Sequence, residues 1–169
     1  MVRRALAALA LCGVVVCGSA QAGELVLRRA EAPALALRER DGATRGLADL
    51  GGKLILAHFW ATWCGTCRTE FPALDALQGE MRGEGLRVAA IALDKLGWFA
   101  IDRLTKELGV REVALFHDLN REAATAFGVV GLPTTVVLDA KGREIGRIVG
   151  EGAWGDPKLR TQLRALMRD

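Results

Sequence analysis

Cysteine is scarce in this chain, and the scarcity is selective. Four cysteines occur in 169 residues. Cys12 and Cys17 fall in an apolar N-terminal stretch, so the rest of the chain holds only Cys64 and Cys67. A domain stapled by disulfides carries more cysteines, set further apart. A loop as short as C-x-x-C removes little chain entropy when it closes. The pair is therefore expected to react rather than to brace. Histidine is nearly as rare, with His58 and His117 the only two. Structural zinc takes four ligands, and no common zinc module has the spacing of these four side chains, so no metal or other cofactor is expected beyond a redox-active Cys64–Cys67 disulfide.

An excess of one charge is missing too. Arg3 and Arg4 are the only charges before residue 23; without them 21 basic residues face 20 acidic ones, a net charge of about +1. That argues against a nucleic-acid footprint. Internal repeats and low-complexity tracts are likewise lacking.

The N-terminus has a recognisable order. Arg3 and Arg4 precede the apolar run Ala5 to Val16, and Ala20-Gln21-Ala22 is a small-residue cleavage pattern. Residues 1–22 read as a secretory signal peptide, and the protein is expected to be exported to the periplasm. The alternative is an uncleaved membrane anchor, for which the apolar run is short. Residues 23–34, with Pro33 near the end, read as an extended arm. Residues 35–169 are long enough for one domain with a full core.

Within that domain, strands and helices alternate. A half-buried strand is expected around Leu35 to Glu39, a turn at Asp41-Gly42, and a helical turn at Leu47 to Leu50. Lys53 to Trp60 reads as a central strand, apolar on both sides except at His58. A helix from about Gly65 to Gln78 contains Pro72, which should kink it, and Gly79, Gly83 and Gly85 should end that segment. Leu86 to Leu93 is a second buried strand. Trp98, Ile101, Leu104 and Leu108 have helical spacing, with Gly109 as a stop. A short strand, Val113 to Phe116, precedes a helix from Arg121 to Phe127, capped by Asn120. Strands at Thr134 to Leu138 and Glu144 to Val149 form a hairpin, and Asp156 to Met167 is an amphipathic last helix. This order predicts a three-layer α/β domain with a mixed sheet.

The chemistry concentrates where the central strand meets its helix. The free N–H groups and the dipole of a helix N-terminus stabilise a thiolate and lower its pKa. Cys64, at the first turn, is expected to be the exposed nucleophile. Cys67, one turn inside, can attack a mixed disulfide formed at Cys64. Glu70 lies three residues beyond Cys67 on the same side. A carboxylate there raises thiol pKa values and makes the pair a better reductant; the alternative is a solvated helix residue. His58 could accept the proton from Cys67, or be a neutral core histidine with one hydrogen bond. Trp63, beside Cys64, is assigned to a docking surface. Trp60 reads as core, and Trp98 and Trp154 as packing.

Phe59-Trp60-Ala61-Thr62-Trp63-Cys64-Gly65-Thr66-Cys67 together with Leu132-Pro133-Thr134-Thr135 resembles the thioredoxin fold. More narrowly, Cys64-x-x-Cys67-x-x-Glu70-x-Pro72 is similar to the TlpA/ResA/CcmG (DsbE) branch of exported thioredoxin-like proteins, over roughly residues 33–168. The resemblance implies a cis Pro133 beside the sulfurs, with Gly131, Leu132 and Thr134 offering backbone to an extended substrate. The alternative is an ordinary trans turn proline. The resemblance also implies a monomeric reductant that takes electrons from an integral membrane thiol carrier of the CcdA/DsbD type. Its substrates would be protein disulfides of the kind met in cytochrome c maturation or copper-site assembly. His58 departs from the branch, where an acid or Asn is usual. Two alternatives stand beside the reductant. One is a dithiol oxidase, against which Glu70 argues. The other is a Cu(I) chaperone, which soft thiolates permit but no methionine near the cysteines supports.

Overall fold

A computed structural model describes residues 23–168; the expected signal segment, residues 1–22, lies outside them. The centre of the fold is strand β4, Leu54–Trp60, buried at every position. Alternation sends its side chains to two different cores. Leu54, Leu56 and Trp60 enter one cluster; Ile55, Ala57 and Phe59 enter the other. A continuous apolar run is what a strand covered on both faces requires.

The other strands are β1 Leu25–Ala30, β2 Ala36–Arg38, β3 Thr44–Gly46, β5 Leu86–Ala92, β6 Ala114–His117, β7 Thr134–Asp139 and β8 Glu144–Val149. One sheet holds them in the order β1-β8-β7-β4-β5-β6-β2-β3. Strand β4 runs parallel to β5 and antiparallel to β7, so the sheet is mixed. Helices α1 Gly65–Met81, α2 Trp98–Glu107 and α4 Pro157–Leu166 supply Phe71, Leu74, Ile101, Leu104, Leu159 and Leu163 to the first core. Helix α3, Glu122–Ala126, supplies Ala123 and Ala124 to the second. The three-layer α/β domain expected from the sequence is what forms.

The structure refines the local expectations in four places. Residues 23–34, expected as an extended arm, hold an edge strand, Leu25–Ala30, that pairs with β8, Leu27 lying opposite Gly146. A Cβ at Gly146 would come within 3.0 Å of Leu25 Cδ1, so glycine lets the strand lie close. Strand β3 was not foreseen; its three residues carry no apolar pattern and exist as a strand through pairing with β2. Gly79 does not stop α1, which passes Pro72 and runs to Met81; a 3-10 turn follows and ends at Gly85 with φ 110°. Asn120 does not cap α3. Arg121 stands before the helix with φ 59°, and the Asp118 carboxylate accepts the Ala124 N–H at 2.9 Å.

Candidate active site

Cys64 is the N-cap of α1, in extended backbone conformation, and its sulfur accepts the Cys67 N–H at 3.2 Å. A sulfur so placed meets the helix's unsatisfied donors and its positive end, the setting that favours thiolate. The two cysteines are joined as a disulfide. Cys67 has no exposure and Cys64 only 8%. Cys64 is thus less open than expected, because its sulfur turns inward to Cys67 and the helix end, yet it is the only one of the pair that reaches the surface.

Two other segments hold this loop. The Asp94 carboxylate, after β5, accepts the Thr62 N–H at 3.0 and 3.2 Å and also bonds the Thr62 hydroxyl. His117 Nε2 donates to the Asp94 carbonyl oxygen at 2.8 Å. On the other side, the Leu132–Pro133 peptide bond is cis, the isomer the resemblance implied. The Thr134 hydroxyl donates to the Gly131 carbonyl at 2.8 Å, and the Gly150 N–H donates to the Pro133 carbonyl at 2.9 Å. Gly131 is exposed and Leu132 half-buried. Thr134 is 2% exposed and paired in the sheet with Phe59 and Val149, so its side chain is not part of a docking surface.

Large apolar side chains are exposed in the segments that flank the dithiol loop in the fold. Trp63 is 67% exposed and Val130 97%. Leu96 and Phe99, absent from the sequence expectations, are equally open. The Thr62–Asp94 bonds tie the start of that segment to the residue before Trp63.

Beneath the dithiol lies a polar pair inside the first core. Glu70 is one turn past Cys67, on the facing side of α1, and is 3% exposed; it is not a solvated helix residue. Its Oε2 accepts the Gly152 N–H and the Trp154 Nε1–H, both at 2.7 Å. Trp154, expected only to pack, is therefore a hydrogen-bond partner of the site. Gly152 is required beside it, since a Cβ there would stand 2.4 Å from the indole. Burial pushes Glu70 up to about 7; the two hydrogen bonds oppose that rise and the charge of Glu151 adds to it. His58 is fully buried, and burial pushes it down to about 3, so it is neutral at neutral pH. Its Nδ1 lies 2.9 Å from Thr135 Oγ1, and its Nε2 lies 3.7 Å from Glu70 Oε1. Trp60 is core as expected and stacks on Phe71 at 4.4 Å.

The structure thus brings Cys64, Cys67, Glu70 and His58 to one end of β4 and α1, with Pro133 at the adjoining end of β7. It adds Thr62, Asp94, Thr135 and Trp154. Nothing local in the sequence links Gly152 or Trp154 to Glu70, 82 and 84 residues away. Among the described residues no three histidine, cysteine or acidic side chains cluster as metal ligands would.

Residues 29–143 match the model of the AhpC/TSA family. The chain is 30% identical over 122 residues to the thiol-disulfide oxidoreductase ResA of Bacillus anthracis, covering 72% of this chain and 69% of that one. It is 28% identical over 127 residues to ResA of Bacillus subtilis, covering 75% and 70%. Among solved structures it superposes with a TM-score of 0.73 on a candidate thiol:disulfide interchange protein DsbE from Chlorobium tepidum, at 27% identity, over 84% of this chain and 99% of that one.

Proposed function

We propose that this chain, which belongs to the AhpC/TSA family and is a thiol–disulfide oxidoreductase of the ResA/DsbE type, works outside the cytoplasm as a reductant of protein disulfides. The Cys64 thiolate attacks a partner disulfide, and one partner sulfur leaves as thiolate. Cys67 loses its proton and attacks Cys64, which releases the second partner sulfur and leaves the Cys64–Cys67 disulfide. Two electrons have then passed to the partner. An integral membrane thiol carrier returns them in the reverse sense.

The observation that carries the direction is Glu70, buried one turn from Cys67 with one carboxylate oxygen left open toward the site. When ionised, it opposes a second negative charge on sulfur, so the thiolate form is less favoured and the dithiol gives up electrons more readily. The exposure of four large apolar side chains, Trp63 beside Cys64, Val130 before the cis-proline loop, and Leu96 and Phe99 after Asp94, supports a protein partner over a small disulfide. The basic, apolar and small-residue order of residues 1–22 supports export. The substrates that fit are disulfides formed at cytochrome c or copper-binding cysteines after export.

Trapping tests this. Cys67→Ser is expected to accumulate mixed disulfides through Cys64 in the exported fraction, with oxidised partners that the wild type reduces. Capture through Cys64→Ser instead would reverse the order of attack. A purified reduced protein left unoxidised by any protein disulfide would sink the reductant reading.

A further inference from the structure

His58 is held at both ends, by unlike partners. Nδ1 meets the Thr135 hydroxyl, a cross-strand neighbour on β7, at 2.9 Å. Nε2 faces Glu70 Oε1 at 3.7 Å, outside hydrogen-bond reach. Among the described residues, neither of those two atoms has another partner. Two buried polar atoms open toward each other are costly unless a proton can close the gap. A carboxylate oxygen only accepts, a carboxylic acid can donate, and a neutral imidazole has one N–H and one bare nitrogen. A hydroxyl does both. Thr135 can therefore receive an Nδ1–H, or give its own hydrogen to a bare Nδ1.

We infer that Thr135 is a positioning residue whose hydroxyl lets His58 exchange tautomers in step with Glu70, so that the pair stores one proton taken from Cys67. In the loaded form Glu70 Oε1–H donates to bare Nε2, and Nδ1–H donates to Thr135. In the unloaded form Nε2–H donates to the Glu70 carboxylate, and Nδ1 accepts from the Thr135 O–H. The facing atoms of the line Thr135–His58–Glu70 are paired in both forms, and neither form requires an imidazolium. Loading removes one proton from Cys67 Sγ and adds one to the line as a whole: Nε2 passes its proton to the Glu70 carboxylate, and Nδ1 takes one from the Thr135 hydroxyl, which takes up another in its place, so the imidazole keeps a single N–H. The Cys67 thiolate then attacks Cys64 Sγ, the Cys64–partner bond breaks, and the partner leaves with the electron pair as a thiolate that solvent protonates.

The surroundings suit such a store. Helix α1 contributes Cys67, Glu70 and the uncharged Phe71. Strand β5 places Ala90 beside His58. The segment after β8 contributes Trp154 and the charge of Glu151. That negative charge favours the loaded, neutral form of Glu70.

The inference rests on the dithiol exchange described above, but its test reads the imidazole ring itself. With only two histidines in the chain, nitrogen NMR can follow His58 in the oxidised protein between about pH 5 and 9. In the wild type its two ring nitrogens are expected to trade protonated and bare signatures as Glu70 titrates near pH 7. Thr135→Val, which keeps the shape and removes the hydroxyl, should hold one tautomer throughout. It should also lower the Glu70 midpoint by about one unit, tenfold in proton affinity, and slow partner release from the mixed disulfide about tenfold. Thr135→Ser should restore all three. A single wild-type tautomer at every pH would overturn the inference, as would an imidazolium signal or a serine variant that behaves like the valine one. Failure of protein-disulfide reduction alone would leave these ring signals in place and count against the proposed function instead.

Discussion

Helix α1 carries two buried carboxylates, and they are treated in opposite ways. Asp75, 8% exposed, is fully engaged: its oxygens accept the N–H groups of Arg111, Glu112 and Val113 at 2.7 to 3.1 Å. It ties the segment after α2 to α1. Glu70, 3% exposed, has one oxygen with two donors and the other facing His58 with none. Residue class, helix and depth are shared, so none of these makes one carboxylate structural and the other reactive. The difference is whether the set of donors is complete. A complete set ties the carboxylate to the backbone it holds; an incomplete set beside a base leaves the proton free to come and go at working pH.

Removing the structural member should give the largest effect. Asp75→Ala strips the partner from three backbone N–H groups, each worth roughly 1–3 kcal/mol when left unpaired in the interior. A loss of at least about 3 kcal/mol in urea unfolding is expected, with exchange per folded molecule unchanged. Slower exchange at full stability would erase the distinction between the two carboxylates.

The reactive member should reveal itself through pH rather than through stability at one pH. Glu70 holds its proton more tightly folded (about 7) than unfolded (4.5). Its contribution therefore favours the fold below pH 4.5 and is lost as pH rises to 7, on the order of 3 kcal/mol over that window. His58 does the reverse, with about 3 folded against 6.5 unfolded. Its contribution is present above pH 6.5 and is lost as pH falls toward 3. Between 4.5 and 6.5 the two slopes oppose each other, and the wild type should be nearly flat there. Glu70→Gln should uncover a stability that rises with pH up to 6.5, and His58→Asn one that falls with pH up to 7. Denaturation midpoints over that range check both signs; parallel curves for the two variants would break the pairing of His58 with Glu70.

Much of the fold was legible because its signals are local. The run Leu54 to Trp60, the C-x-x-C pair and the spacing of Trp98, Ile101 and Leu104 each lie within one short window. The misses share a different cause. Leu25–Ala30 carries Arg28 and Arg29 and is largely exposed; it is a strand because β8 pairs with it. Asn120 had the right chemistry for a cap, but its amide bonds Glu122 instead. Within the site, sulfurs and cis proline were readable from motif and resemblance. The partners that tune them were not, since Trp154 is 84 residues from Glu70 and Thr135 is 77 from His58. Such contacts are made by the sheet order and by α1 lying across it, not by anything in the neighbouring sequence.

The same contrast extends to the donors. Asp75 is held by backbone N–H groups, which no substitution short of proline removes. One of the two donors to Glu70 is an indole, so this carboxylate can be retuned by changing one residue. Trp154→Phe keeps much of the aromatic bulk and deletes the N–H, while Gly152 continues to donate. The ionised form of Glu70 loses a charge-assisted bond, so its midpoint should climb further above 7 by about one unit. The smaller ring also leaves a gap, which lowers stability at every pH; the midpoint is therefore the quantity to measure. A carboxyl infrared titration in the oxidised protein reads it directly. The thiols should respond in the opposite sense: with Glu70 neutral over more of the range, Cys67 faces less negative charge and ionises more readily. A Glu70 midpoint that stays put when the indole N–H is gone would mean that Gly152 and burial alone set it, and would make Trp154 as purely structural as the donors of Asp75.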